Sequence, residues 1–316
     1  MKIRFWGTRG SIPVSLTSQH IREKLVAALS GALATPLKDH KAVETYVDGL
    51  NFAVRGTYGG HSSCVEIEQG DTVFILDMGS GARALGQALL ARYGTQPRTY
   101  HVFMSHLHWD HIMGFPFFAP AYIPGNRIVI HGCHAELETA FRRQQDAPSF
   151  PVDFSTLGAQ IEFVTVEPRR RLAIADFSIV AMKQRHGGDS YGWRFEHAGK
   201  TLIYSTDSEH RVEDVAEREE FIAFFRNADL VIFDAMYSLA DAISIKADWG
   251  HSSNIVGVEL CQQAQAKRLC LFHHEPAYND QQIDDVLQET RRFETLTREG
   301  IPLEIFSAHD GLELEL

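Results

Sequence analysis

Short apolar runs alternate with stretches of helical spacing along most of this chain. KIRFWG (2–7) reads as a strand. SCVEIEQGDTVFILDMG (63–79) holds two β-like runs around Gly70-Asp71 and predicts a hairpin. RTYHVFMSH (98–106) and NRIVIHG (126–132) follow as strands, then DFSIVAMKQRH (176–186), YGWRFEHAGKTLIYSTD (191–207) and DLVIFDA (229–235). Residues 253–266 predict a helix: Val256, Leu260 and Ala264 recur every four positions, Ile255, Val258 and Cys261 widen the stripe, and Ser252-Ser253 suits its N-cap. RLCLFHH (268–274) is one more strand, and residues 279–300 read as a long amphipathic helix.

Residues 15–57 break this rhythm. SQHIREKLVAALSGALA has apolar residues at 21, 25, 28, 29, 32 and 33, which is helical spacing, between a strand and a Gly-Gly turn. The stretch reads as a partly helical insertion in one domain spanning 1–316. A segment packed on the core, a dimerisation arm and a lid all fit it.

Composition narrows the class. With 316 residues, 44% hydrophobic and 22% charged, the chain reads as a soluble globular protein. Its formal net charge of −11 argues against a surface built to grip long nucleic acid, while leaving room for a small anionic substrate beside a metal. Cys64, Cys133, Cys261 and Cys270 form no C-x-x-C pair, which suits reduced thiols in a cytoplasmic protein. No apolar run is long enough to span a bilayer, so no membrane partner is expected.

The chemistry gathers where apolar runs stop. MSHLHWDH places His106, His108, Asp110 and His111 within six residues. Other runs end at His186, Asp207, Asp234 and His273-His274. Strand ends of this kind collect along one edge of a layered α/β fold. Four such side chains in a tight loop repel one another or stay unsatisfied without a cation. His106, His108, Asp110, His111, His186, Asp207 and His273 make seven candidate ligands, too many for one ion and suited to two that share a carboxylate. Two divalent ions are therefore expected, zinc first, with manganese or iron open to the same ligands.

SHLHWDH resembles the H-x-H-x-D-H motif of the metallo-β-lactamase superfamily. So do the later lone histidine, the aspartate in STD, the histidine after LF, and LDMGSG. The resemblance implies a four-layer αβ/βα sandwich. It implies His106, His108 and His186 on one ion, Asp110, His111 and His273 on the other, Asp207 between them, and Asp77 supporting the ligand loop. Asp before Gly is also plain turn chemistry. Of the two histidines in FHHEP, His273 takes the family position, and His274 would support it from behind. His61 stands where related sequences carry Asn, and is expected beside the ligands rather than among them.

VIFDAMY followed by WGHSS resembles the ribonuclease Z-like branch, which includes tRNA-processing nucleases and cyclic-phosphate phosphodiesterases. That likeness implies an Asp234–His251 pair in which His251 assists the leaving oxygen, and Asp110 also takes a catalytic place. The resulting expectation is a dinuclear phosphodiesterase acting on a small (cyclic) phosphodiester or nucleotide. Rival readings are a ribonuclease Z-like nuclease using Arg142, Arg143, Arg169, Arg170 and Arg171, a lactone, thioester or β-lactam hydrolase, and a non-catalytic metal-bound module. A homodimer through the insertion is also open.

Overall fold

The structure is a computed structural model in which residues 1–210, 214–237 and 251–316 are described. The strands are β1 (Lys2–Gly7), β2 (Cys64–Gln69), β3 (Thr72–Leu76), β4 (Thr99–Phe103), β5 (Arg127–Gly132), β6 (Gln160–Thr165), β7 (Leu172–Ile174), β8 (Phe177–Gln184), β9 (Ser190–His197), β10 (Lys200–Ser205), β11 (Leu230–Asp234), β12 (Arg268–Phe272), β13 (Glu304–Ser307) and β14 (Glu313–Glu315). Among the described residues they form two seven-stranded sheets, ordered β14-β1-β2-β3-β4-β5-β6 and β13-β12-β11-β10-β9-β8-β7.

Each sheet is antiparallel in one part and parallel in another. β1, β2 and β3 pair antiparallel, as do β7 to β10, whereas β3 to β6 and β10 to β13 run parallel. The hairpin expected at Gly70-Asp71 joins β2 to β3 in the register Gln69 opposite Thr72. Gly70 takes a φ of +57°, the left-handed conformation a tight turn asks for.

Side-chain alternation explains the layers. On β3, Phe74 and Leu76 face the other sheet, while Val73 and Ile75 face outward onto a helix layer. On β11, Leu230 and Ile232 point inward and Val231 and Phe233 outward. Both faces of these strands are covered, so they read as continuous apolar runs. Phe74, Phe103, Phe177, Trp193, Phe195 and Phe272 fill the space between the sheets.

The helices are α1 (Ser18–Ala32), α2 (His40–Gly49), α3 (Phe52–Arg55), α4 (Ala82–Tyr93), α5 (Trp109–Ile112), α6 (Leu137–Arg143), α7 (Val215–Phe225), α8 (Asn254–Gln263) and α9 (Asp280–Thr297). α4 and α6 cover the first sheet through Leu85, Leu89 and Phe141. α7, α8 and α9 cover the second through Phe225, Val258 and Leu287. The result is the expected αβ/βα sandwich. α8 starts at the Ser253 N-cap, whose side chain accepts from the Val256 amide. Of the aromatics at 115–154, Phe115, Phe118 and Phe154 are buried, whereas Phe117 is exposed. No helix among the described residues is long and apolar enough to cross a membrane.

Candidate metal centre

Parallel strands put their carboxyl ends at one edge of each sheet, and the coordinating residues follow those ends. Past β3 comes Asp77, past β4 the loop with His106 to His111, past β10 Asp207, at the end of β11 Asp234, and past β12 His273. His186 follows the antiparallel strand β8. Three of these residues turn through positive φ without being glycine: Asp77 (+58°), Asp207 (+49°) and His273 (+59°). Such conformations cost ~1–3 kcal/mol each and persist where the surroundings over-determine them.

The side chains converge. Ligand atoms of His106, His108 and His186 lie within 4.8 Å of one another, as do those of Asp110, His111 and His273, and those of His106, His111 and Asp207. Asp207 Oδ1 is 3.2 Å from both His111 Nε2 and His273 Nε2, and its Oδ2 is 3.7 Å from His106 Nε2 and 3.6 Å from His186 Nε2. It thus lies between the two triads.

Asp77 sits behind this cluster, fully buried. It accepts from the Ser105 amide (2.7 Å) and hydroxyl (2.6 Å), from His111 Nδ1 (2.8 Å) and from the Tyr204 hydroxyl (2.8 Å). With Nδ1–H committed to Asp77, His111 presents Nε2 to the cluster. The Nε2 atoms of His106, His111 and His273 are buried and have no hydrogen-bond partner among the described residues. Each unsatisfied polar atom costs ~1–3 kcal/mol, so the donor set fits cations that would take up these lone pairs.

Electrostatics agree. Burial, together with the neighbouring His111, holds the His106 imidazolium well below its ordinary pKa. Burial also opposes charge on His111, yet Asp207, Asp110 and Asp77 outweigh it and push His111 well above the ordinary value. The same imidazole holds Asp110 well below the carboxylate range despite burial. A pocket that gathers positive charge around two buried carboxylates is one a divalent ion can occupy.

His251 lies at the edge of the cluster. Its Nδ1 donates to Asp234 Oδ2 at 2.8 Å and lies 4.0 Å from Asp207 Oδ2. Its ring stacks on His273 at 5.1 Å. Asp234 is fully buried and also accepts from the Ser208 and Met236 amides, both at 3.1 Å. Burial pushes the His251 pKa down, but the Asp234 charge and hydrogen bond outweigh it and raise it to about 9.

The remaining candidates point elsewhere. His274 donates from Nε2 to the Ala308 carbonyl (2.8 Å) and packs edge-on to Tyr58, away from the carboxylates that His273 meets. His61 contacts the Ser80 hydroxyl at 3.3 Å and sends its amide to Asp310. It belongs to none of the clustered triads. The arginines offered as an RNA patch are largely spoken for: Arg142 pairs with Glu138, Arg169 with Glu220, Arg170 with Glu167 and Arg171 with Glu196.

Residues 72–274 match the β-lactamase superfamily domain. The chain belongs to that family. The metallo-β-lactamase reading from SHLHWDH is thereby met at the level of the family. Among relatives with similar sequences, the ribonuclease Z of Haloarcula marismortui is 25% identical over 314 residues, covering 84% of this chain and 94% of its own. Among solved structures, the metallo-β-lactamase fold protein YhfI of Bacillus subtilis superposes with a TM-score of 0.65 at 19% identity, covering 99% of this chain and 98% of that one. The short form of human tRNase Z gives 0.59 at 17%, covering 100% and 99%. At these identities the two superfamily structures share the fold.

Several site residues were not legible as such. Ser105 and Tyr204 carry no motif, yet both hold Asp77. Gly10 lies against the His273 ring so closely that a Cβ there would come within 2.6 Å of Cε1. Its signal was present as a glycine just after the first strand, with no partner in sequence to give it meaning. Trp109, between His108 and Asp110, is 70% exposed, which is unusual for a residue of that size.

Proposed function

We propose that this family member is a dinuclear metal-dependent hydrolase that cleaves a phosphodiester, with a small nucleotide or cyclic phosphate as substrate. The observation that carries the reading is the His251–Asp234 pair set at the edge of the His106–His108–His186 and Asp110–His111–His273 clusters, with Asp207 within 3.7 Å of histidines from both. His106, His108 and His186 would hold one ion, Asp110, His111 and His273 the other, and Asp207 would belong to both. Zinc is the metal this donor set favours first, since five of its seven residues, His106, His108, His111, His186 and His273, are histidines. Ions held there would supply positive charge to the phosphoryl oxygens and lower the pKa of water.

The chain's own residues do the rest. Asp77 holds His111 in one tautomer, so that its Nε2 stays aimed at the cluster. Asp234, fixed by two backbone amides, orients His251 and leaves Nε2 as the nitrogen that gives a proton to the departing oxygen. Carbonyl hydrolysis has no comparable use for such a pair. The names of the relatives, ribonuclease Z and tRNase Z, support phosphodiester chemistry. The net charge of −11 and the paired arginines favour a small substrate over RNA.

The test is hydrolysis of bis-p-nitrophenyl phosphate by protein stripped with a chelator and reloaded with zinc or manganese. A lactone, a β-lactam and a short RNA run in parallel. Metal-dependent diester cleavage is expected. Ring opening of a carbonyl substrate without diester cleavage refutes the proposal, and preference for the RNA moves it to the nuclease reading.

A further inference from the structure

Two tryptophans of this chain serve the fold. Trp6 Nε1 donates to Glu66 Oε2 at 2.9 Å, and the fully buried Trp193 donates to the Met104 carbonyl at 3.0 Å. Trp109 does nothing of the kind. Its indole has no hydrogen-bond or ring partner among the described residues, and most of it faces solvent. Aromatic rings offer the largest gain on burial of any side chain, and here that gain is left unused within the chain.

The backbone that carries the ring is fixed. Four successive carbonyls are taken: His108 by the His111 amide, Trp109 by the Met113 amide, Asp110 by the Ser62 hydroxyl and His111 by the Met78 amide. Trp109 therefore stands on a rigid support between two candidate ligands, its Cα about 3.8 Å along the chain from each of theirs.

The cluster opens at the residue next to it. His106, Asp110, His111 and His273 are buried, His186 is part-buried and His108 is exposed. After His186 the chain continues through Gly187 and Gly188, both exposed, and a Cβ on Gly188 would come within 3.4 Å of His108 Nε2. That loop reaches His108 without a side chain of its own, which leaves the space above the histidine to a ligand. A phosphoryl group at the His106–His108–His186 triad would carry its remaining substituents out through this opening, beside the indole.

We infer that Trp109 is the platform on which the base of a nucleotide stacks while its phosphate lies at that triad. The inference rests on the phosphodiester reading of the site and narrows its substrates from phosphodiesters at large to nucleotides. A rigid indole suits this task because it offers a wide flat apolar face at little cost in conformational freedom. It reads the face of the base and not its hydrogen-bonding edge, so any base is accepted. An aliphatic substituent would gain only area from such a surface, whereas a planar base also gains the offset stack.

The test compares adenosine 2′,3′-cyclic phosphate with methyl riboside 2′,3′-cyclic phosphate, which keeps the reacting ring and lacks the base, on zinc-loaded protein. Removing an aromatic platform weakens binding of a base by about 5–150-fold. Wild type is expected to prefer the adenosine substrate in kcat/KM by a factor in that range. Trp109→Ala is expected to lose the preference, chiefly through KM, and Trp109→Phe, which keeps a ring, to retain part of it. Loss of metal in a variant slows both substrates alike and cancels in the ratio. Isothermal titration with adenosine 5′-monophosphate and with ribose 5-phosphate makes the same comparison without turnover: the adenosine ligand should bind wild type more tightly by a factor in the same range, and Trp109→Ala should bind the two alike. Equal use of both substrates by wild type overturns the inference and leaves the phosphodiester reading standing. A preference that Trp109→Ala keeps does the same. Cleavage of neither diester, with neither monophosphate bound, removes that reading and the inference with it.

Discussion

Replacing His251 by alanine isolates the step assigned to it. The ring donates from Nδ1 to Asp234 at 2.8 Å, so Nε2 is the only nitrogen left to serve a leaving oxygen. A positioned acid contributes ~10²–10⁴-fold, but only where the departing oxygen needs a proton. Nitrophenolate leaves readily without one, whereas the ribose oxygen of a cyclic nucleotide does not. His251→Ala is therefore expected to slow cleavage of a nucleoside 2′,3′-cyclic phosphate by ~10²–10⁴-fold and of bis-p-nitrophenyl phosphate by about tenfold or less. Asp234→Asn sets a second scale. It replaces one carboxylate oxygen by an amide that faces a backbone N–H, at Ser208 or Met236, and it weakens a charge-assisted bond worth ~1.5–3 kcal/mol. At ~1.4 kcal/mol per tenfold, that is ~10–150-fold on the cyclic substrate. Because Asp234 acts through His251, the double variant should be no slower than His251→Ala alone. Single-turnover rates on both substrates, with bound metal measured for each variant, make the comparison. Equal losses on both leaving groups, or additive losses in the double variant, would refute the acid role.

Three further outcomes follow from the geometry. Asp77→Asn keeps the size of a group that accepts four hydrogen bonds but loses its charge, and metal affinity measured by chelator competition should fall ~10–100-fold. Gly10→Ala places a methyl within 2.6 Å of the His273 ring and should lower the bound metal from two ions toward one, read by elemental analysis on protein whose circular dichroism is unchanged. Burial raises the Glu68 pKa, but the Tyr93 hydroxyl, Arg4 and Arg92 more than reverse this and leave it depressed. A depressed carboxylate contributes stability that is present above its unfolded pKa of about 4.3 and lost as pH falls through the lower folded value. Glu68→Gln should thus cost roughly 1 kcal/mol at neutral pH, allowing for its partial exposure, and the gap to wild type in urea melts should narrow as pH falls below the unfolded carboxylate value of about 4.3.

The strands were readable because both faces of the central ones are buried. LVIFD and RLCLF are apolar throughout, so their sequence carried the signal without help from neighbours. β7 and β14, three residues each, and β6, whose residues are only part-buried or exposed, lie toward sheet edges, where local sequence is a weak guide. The histidine loop was legible because its ligands lie within six residues. The support for that loop was not, since Tyr204 reaches Asp77 from 127 residues away and Gly10 meets His273 only after both sheets have closed. The first helix of the 15–57 insertion followed from its periodicity, but which way it faces depends on Lys24, Tyr46 and Asp280, residues that no hydrophobic pattern marks.

The candidate centre also draws on both halves of the sandwich at once. His106, His108, Asp110 and His111 hang from the first sheet, and His186, Asp207 and His273 from the second. Among the described residues, every triad that could receive an ion includes a residue from the second half of the sandwich. Occupancy would then act as a buckle across the seam. Binding at ~1,000 times the dissociation constant adds about 4 kcal/mol to the folded state, a large share of what a domain of this kind possesses. The aromatic interior would keep the sheets stacked with the buckle open, while the loops above it lose their common anchor. Amide exchange confined to those loops, slowed by metal and released by a chelator, would then measure the catalytic inventory and the cohesion of the protein in a single experiment.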